Sequence, residues 1–367
     1  MFKKIISLIL TLCFLFALSS CGENGENSSP MKDSEFISAR VDEKTSFRYN
    51  EYKDYVIVTG INGAPDKLEI PDTLGGKEVR AIGDNAFADM GWVTEIEVPD
   101  TVVEIGENAF SGAVSAEKIS LSENLYSIGA SAFFGARKIE NVRLPLGLKI
   151  IGGFAFADCE KLEGISIPKV TFSIGGGAFQ NTKWLQGQTD EFVIAGDNVL
   201  IHYNGEDEKV TVPEDVKAVS AFYDKFFVKE VVLPESVEEI CEYAFVNSSV
   251  EKITLSKNIR KIGNSAFDSC LYLEKVVTNE KLEEIGSFAF AGCQALEEFT
   301  VTEKVKNVYD GAFARCDGLE KLTFTSSKTE IGESICDSCS NTLEISCPEK
   351  SPVITYAKEN GFVLDIV

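Results

Sequence analysis

Along most of the chain, apolar residues recur with the period of a whole motif rather than that of a single helix or strand. Ile-Gly-x-x-Ala-Phe stands at Ile82–Phe87, Ile105–Phe110, Ile128–Phe133, Ile151–Phe156 and Ile174–Phe179, and its five Phe are each 23 residues apart. After a break, Ala-Phe resumes at Ala244-Phe245, Ala266-Phe267, Ala289-Phe290 and Ala312-Phe313, at spacings of 22 or 23. Degenerate copies lie at Ala221-Phe222 and at Ile331-Gly332…Ile335-Cys336. Each copy is followed by a short apolar–polar–apolar run, often closed by Pro, as in Ile96-Glu97-Val98-Pro99 and Ile165-Ser166-Ile167-Pro168. Alternation over so few residues predicts a short strand. Pro, lacking an amide N–H, ends its ladder.

One such unit cannot bury its own apolar residues, whereas stacked neighbours can. The pattern therefore predicts a repeat solenoid with one short parallel β-strand per ~23-residue repeat. The Ile-Gly-x-x-Ala-Phe segments are expected to form short helical or 3₁₀ turns on its convex side. Phe fills the core, Ala lets the turn approach its neighbour, and Gly permits a tight or positive-φ backbone. Strand signatures run from Leu68-Glu69-Ile70 to Leu343-Glu344-Ile345. Between the two repeat blocks, Phe192-Val193-Ile194-Ala195 and Asn198–Tyr203 flank Gly196-Asp197 and predict a β-hairpin protruding from the solenoid.

The N-terminus is of a different kind. Lys3 and Lys4 precede a nearly continuous apolar run, Ile5–Leu18, and then Leu18-Ser19-Ser20-Cys21. This predicts a signal peptide over residues 1–20. The small residues before Cys21 resemble the bacterial lipobox, which implies a lipid on the Cys21 thiol. Residues 21–46 are read as the lipidated Cys and a polar, flexible tether. The remaining boundaries are 47–181 for an N-terminal cap and first repeat block, 182–209 for the hairpin, 210–350 for a second block and 351–367 for a C-terminal cap.

Charge narrows the partners. With 35 basic and 58 acidic residues the formal charge is −23, and loss of Lys3 and Lys4 makes it −25. That excludes nucleic acid as a partner. Ten Cys in an exported chain would suggest disulfides. The repeat argues otherwise: Cys159, Cys270, Cys293, Cys316 and Cys339 each fall three residues after the Phe position, where Met90, Ala113, Ala136 and Thr182 stand elsewhere. The slot takes small or soft buried side chains, and reduced thiols suit it. Cys336-x-x-Cys339, with Cys347 nearby, is compatible with zinc binding or with a disulfide.

Catalytic chemistry is sparse. The one histidine, His202, lies in the hairpin with no nucleophile motif around it. Carboxylate pairs such as Glu238-Glu239 occupy variable repeat positions. No catalytic, metal or cofactor residue is assigned, and no cofactor is expected. The strand residues facing away from the core form mixed, Thr- and Lys-rich columns. Arg143, Lys209, Lys252, Thr254, Lys275, Thr300 and Lys321 are the candidate binding face. The acidic excess lies elsewhere, at residues such as Glu235, Glu238, Glu239 and Glu242.

The repeat resembles the BspA-like bacterial leucine-rich-repeat family, also called the Treponema pallidum class, over about residues 47–364. The resemblance implies a leucine-rich-repeat right-handed superhelix. It also implies an N-terminal capping unit around Tyr55–Gly60 and Gly75–Val79, and a terminal helix and strand in Pro352–Val363. The expected function is a non-catalytic recognition or adhesion scaffold. It would be a monomer, held at the outer face of the cell membrane through Cys21 and binding a host or bacterial surface protein or glycan. The alternatives are a structural envelope protein without a dedicated ligand and, least favoured, an enzyme.

Overall fold

The computed structural model describes Met31 and residues 34–367. The expected signal peptide and Cys21 lie outside the described residues. The chain divides into two compact units: the first ends at Gln188, and the second comprises Thr189–Val367 together with Ile174–Gly177. Each is a parallel β-solenoid.

In the first unit, Phe36–Val41, Phe47–Tyr52 and Val56–Ile61 form an antiparallel meander. Val56–Ile61 then pairs in parallel with Lys77–Ile82, which is followed in the same sheet by Glu104–Ile105, Ser127–Ile128 and Ile150–Ile151. Residues 36–41, expected to belong to the tether, are instead a strand. Phe36–Val41 pairs with the first strand of the cap, a pairing that six residues without repeat register do not reveal.

The second unit begins the same way. Phe192–Ala195 pairs antiparallel with Val199–Tyr203, which pairs in parallel with Ala218–Val219. The hairpin therefore does not protrude. It is the starting edge of an eight-stranded sheet that continues to Glu330–Ile331. The unit ends in a helix, Val353–Asn360, and a strand, Val363–Ile366. Gly361 stops the helix in the left-handed region at φ 76°, its N–H donating to the Ala357 carbonyl.

Each repeat carries its predicted strand, exemplified by Glu95–Glu97 and Lys118–Ser120 in the first unit and Lys252–Thr254 and Lys275–Val277 in the second. The structure adds a second strand ending at the motif Ile, six residues long at Lys77–Ile82 and two in the coils that follow. In it Ile82, Ile105, Ile128 and Ile151 stand in one register row, and Ile240, Ile262 and Ile285 stand in another.

The Ala-Phe turn is not a helix. Ala86 and Ala88 donate to Gly83 and Asn85 in i→i−3 bonds, while Asn85, Phe87 and Asp89 donate to Glu107, Ala109 and Ser111 of the next coil. This alternation comes from left-handed residues four apart, Asn85 with Asp89, Asn108 with Gly112 and Ser265 with Ser269. Every second N–H is thereby turned toward the neighbouring coil. Phe rings from successive turns stack: Phe110–Phe133 centroids are 5.2 Å apart at 10°, and Phe267–Phe290 are 5.1 Å apart at 2°.

The motif Gly serves a different need from the one expected. Gly106, Gly129 and Gly152 are not at positive φ. A Cβ at Gly152 would lie 2.3 Å from the Ala130 nitrogen, and one at Gly129 would lie 2.6 Å from the Gly106 carbonyl carbon. Glycine is there because one backbone lies directly on the next.

Candidate recognition face

The strand alternation fixes which side chains can meet a partner. In Lys209–Thr211, Lys252–Thr254 and Lys275–Val277 the central residue is buried and its two neighbours are exposed. The same pattern exposes Thr300 and Lys321 beside buried Phe299 and Leu322, and Arg143 beside buried Val142. All seven candidate face residues are therefore solvent-facing.

Register decides which come together. In the second unit, Lys209, Glu230, Lys252 and Lys275 form one row across four adjacent strands, and Thr211, Val232, Thr254 and Val277 form the next. Lys252, Thr254 and Lys275 are immediate neighbours. Thr300 and Lys321 lie on adjacent strands of a separate four-stranded sheet. Arg143 belongs to the first unit.

The cations are largely neutralised by neighbouring coils, which the sequence columns do not show. Lys209 Nζ lies 3.1 Å from Glu230, and Lys252 reaches the same carboxylate at 3.9 Å. Lys321 pairs with Glu344 at 2.5 Å and Arg143 with Glu123 at 3.3 Å. The first unit has its own network: Lys67 contacts Glu69, Glu95 and Glu97, and Glu95 also holds Lys118. Such exposed pairs add little stability, but they leave the strand face nearly neutral in a strongly acidic chain. Lys275 has no ion-pair partner among the described residues, and Val277 beside it is 52% exposed.

The cysteines occupy the expected slot. Cys159, Cys270, Cys293 and Cys316 are fully buried and Cys339 partly so, and all are free thiols. Their role is more specific than filling space. Each Sγ donates to the carbonyl of the Phe one coil back: Cys159 to Phe133 at 3.3 Å, Cys270 to Phe245 at 3.0 Å, Cys293 to Phe267 at 3.2 Å, Cys316 to Phe290 at 3.1 Å and Cys339 to Phe313 at 3.0 Å. Burial pushes the Cys159 and Cys270 thiols up to about 12, which makes them unreactive. No group of three or more His, Cys, Asp or Glu among the described residues is placed to hold a metal.

His202 is half-buried in the second unit's hairpin. Desolvation first, and the nearby Lys225 second, lower it to about 4, against an opposing hydrogen bond that the imidazole donates to Asn204. Lys225 stands at the cysteine slot of the degenerate repeat, three residues after Phe222. Its Nζ lies 5.9 Å from the centre of the Phe227 ring, and burial lowers its pKa. Among the described residues, no helix is long and apolar enough to cross a membrane.

The model of the BspA type leucine rich repeat region matches the chain in 6 copies, over residues 76–190 and 208–360. Among solved structures, the pneumococcal vaccine antigen PcpA is 18% identical, with 91% of this chain and 100% of that one aligned and a TM-score of 0.43. The T. pallidum leucine-rich repeat protein is 19% identical over 70% of this chain and 91% of that one, with a TM-score of 0.37. A leucine-rich repeat protein from Bacteroides ovatus is 19% identical over 92% and 100%, also at 0.37. No curated protein matches the chain.

Proposed function

Because the chain belongs to the BspA-type leucine-rich-repeat family, we propose that it is a non-catalytic recognition scaffold, exported and lipid-anchored through Cys21, whose exposed strand face binds a surface protein or glycan. The observation that supports this reading most is the row Lys209–Glu230–Lys252–Lys275 with its flanking Thr211 and Thr254. It presents side chains at fixed spacing from a hydrogen-bonded, fully packed backbone. A face held this rigidly loses little entropy when a partner docks. With three Lys to one Glu and flanking Thr hydroxyls, the row suits polar, acceptor-rich partners better than cationic ones.

The decisive experiment compares the mature chain with a Lys252→Glu, Lys275→Glu, Lys321→Glu variant against arrays of glycans and surface-protein extracts. Saturable binding that weakens by about tenfold or more in the variant supports the face. Identical profiles overturn it. Anchoring is tested separately, by mass spectrometry of the membrane fraction. An acylated Cys21 at the new N-terminus supports the anchor, and a soluble product starting elsewhere removes it.

A structural role without a dedicated ligand is the second reading, favoured by the ion pairs that run from coil to coil and already neutralise most of the face. It predicts no saturable partner in either experiment.

A further inference from the structure

The last coil of the second unit breaks the Phe ladder: Cys336 occupies the Phe position, with Cys339 in the thiol slot. The substitution has a local structural reason. Cys336 N–H donates to the Tyr356 hydroxyl at 2.9 Å, so the smaller side chain lets the terminal helix close over the core. It also puts two thiols on one turn. Cys339 N–H donates to the Cys336 carbonyl at 3.2 Å, and an i→i+3 turn brings its end Cα atoms within about 7 Å. Disulfides span Cα separations of about 4.4–6.8 Å.

Exposure separates the two roles. Cys336 is fully buried, whereas Cys339 is partly open to solvent. Interaction between the two thiols holds Cys339 below its ordinary value, and together with burial holds Cys336 above it. Cys159, Cys270, Cys293 and Cys316 have no second cysteine on their turn and are buried.

We propose that Cys336 and Cys339 form a redox-active dithiol that exchanges with external disulfides, with Cys339 as the attacking and Cys336 as the resolving sulfur. In the first step Cys339, having lost its proton to solvent, attacks one sulfur of a disulfide RSSR. The Cys339–S–S–R bond forms, the R–S–S–R bond breaks, and RS⁻ leaves to be protonated. In the second step Cys336 gives up its proton and attacks the Cys339 sulfur, closing the protein disulfide and releasing the second RSH. The chain is oxidised by two electrons and RSSR is reduced to two thiols. The buried resolving thiol needs no access of its own, because it meets only Cys339.

The test incubates the folded full chain with oxidised glutathione, quenches in acid, alkylates under denaturing conditions and maps peptides by mass spectrometry. The expected result is a peptide containing Cys336 and Cys339 that lacks both alkyl groups and two hydrogens, with the buried ladder cysteines alkylated. Cys336→Ser is expected to accumulate a glutathione adduct on Cys339, and Cys339→Ser to acquire none. Alkylated Cys336 and Cys339 in the oxidised wild type overturn the proposal, as does a bond from Cys339 to Cys316 on the neighbouring coil. The wild-type map decides the question alone if either variant fails to fold by circular dichroism.

Discussion

The two units close the same kind of core with different residues. In the first, the Phe ladder from Phe87 to Phe179 begins edge-on against Phe47, at 6.2 Å and 85°, and ends on Trp184, at 4.9 Å and 59°. Trp184 sits in the short helix Lys183–Gln186, capped by the Thr182 hydroxyl. In the second unit, Tyr203 covers Phe222 at 5.9 Å and 43°, and the far end is the terminal helix with Tyr356. The slot behind each Phe differs more. It runs Met90, Ala113, Ala136, Cys159, Thr182 in the first unit, and Lys225, Ser248, Cys270, Cys293, Cys316, Cys339 in the second. Except at Cys336, the aromatic position is thus held to one shape, while its neighbour varies from Ala to Lys. An exposed end is closed by whatever flat ring the flanking hairpin or helix can supply.

If the ladder carries both units equally, removing a ring should hurt equally in each. Phe133→Ala and Phe267→Ala delete fully buried rings stacked on both sides. Each is expected to lose about 3–5 kcal/mol in urea denaturation. A cost below about 1 kcal/mol in either unit would show that its coils are held by something other than the ring stack.

Next in size is the contact between coil backbones. Gly152→Ala drives a Cβ to 2.3 Å from the Ala130 nitrogen, and overpacking of this kind costs about 1–3 kcal/mol. The second unit carries Cys241 at the corresponding place, over a shortened coil. Val219 and Ile240 are in register, yet Phe222 follows Val219 more closely than Phe245 follows Ile240. Room exists there for a side chain, so Cys241→Ala is expected to be tolerated where Gly152→Ala is not. Similar denaturation midpoints for the two would break this explanation of the glycine column.

The solenoid, the Phe register and the thiol slot were readable from the chain because the repeat overlays each side chain on copies of itself. The second ladder was not. Two residues such as Glu104–Ile105 are too short to show alternation, and the following Gly looked like a turn residue. The left-handed pairs were half visible in Asn85, Asn108 and Gly112. They were hidden where Phe154, Tyr243, Phe288 and Arg315 take the same backbone at a steric cost. On the candidate face, alternation revealed which residues point outward. That Lys209 and Lys252 share Glu230 depends on coil-to-coil register and rotamers, which columns of letters do not encode.

The thiol slot separates the units at a smaller scale. Cys293→Ala removes the Sγ hydrogen bond to the Phe267 carbonyl and a little volume, while that carbonyl keeps its bond from the Cys270 N–H. A loss of about 1 kcal/mol is expected. Ala136→Cys in the first unit should leave the urea midpoint nearly unchanged, as the slot already accepts thiols elsewhere. A large loss in Ala136→Cys would mean that the two units' slots differ in size as well as in occupant.

The smallest contrast is in pH dependence, where the two units should drift in opposite directions. His202 in the second unit is held at about 4 against an unfolded value near 6.5. Its contribution is therefore fully present above pH 6.5 and is lost as pH falls toward 4, because the unfolded chain takes up the proton first. Asp84 in the first unit is the reverse case. Desolvation lifts its carboxyl to about 6, although it accepts the Glu107 N–H at 2.7 Å. The folded chain takes up that proton first, so this contribution to stability grows as pH falls from 6 toward 3.8. Partial exposure of both groups keeps each effect below about 1 kcal/mol. Relative to wild type, His202→Gln should gain stability between pH 7 and pH 5. Asp84→Asn should start ahead at pH 7 and have that lead reduced by pH 5. Asn264 in the second unit already stands where Asp84 stands in the first, and its Oδ1 accepts the Ser287 N–H at 3.0 Å. The bond that Asp84 makes therefore does not require a charge. Parallel urea midpoints for both variants across this range would show that neither group's surroundings differ from water enough to matter.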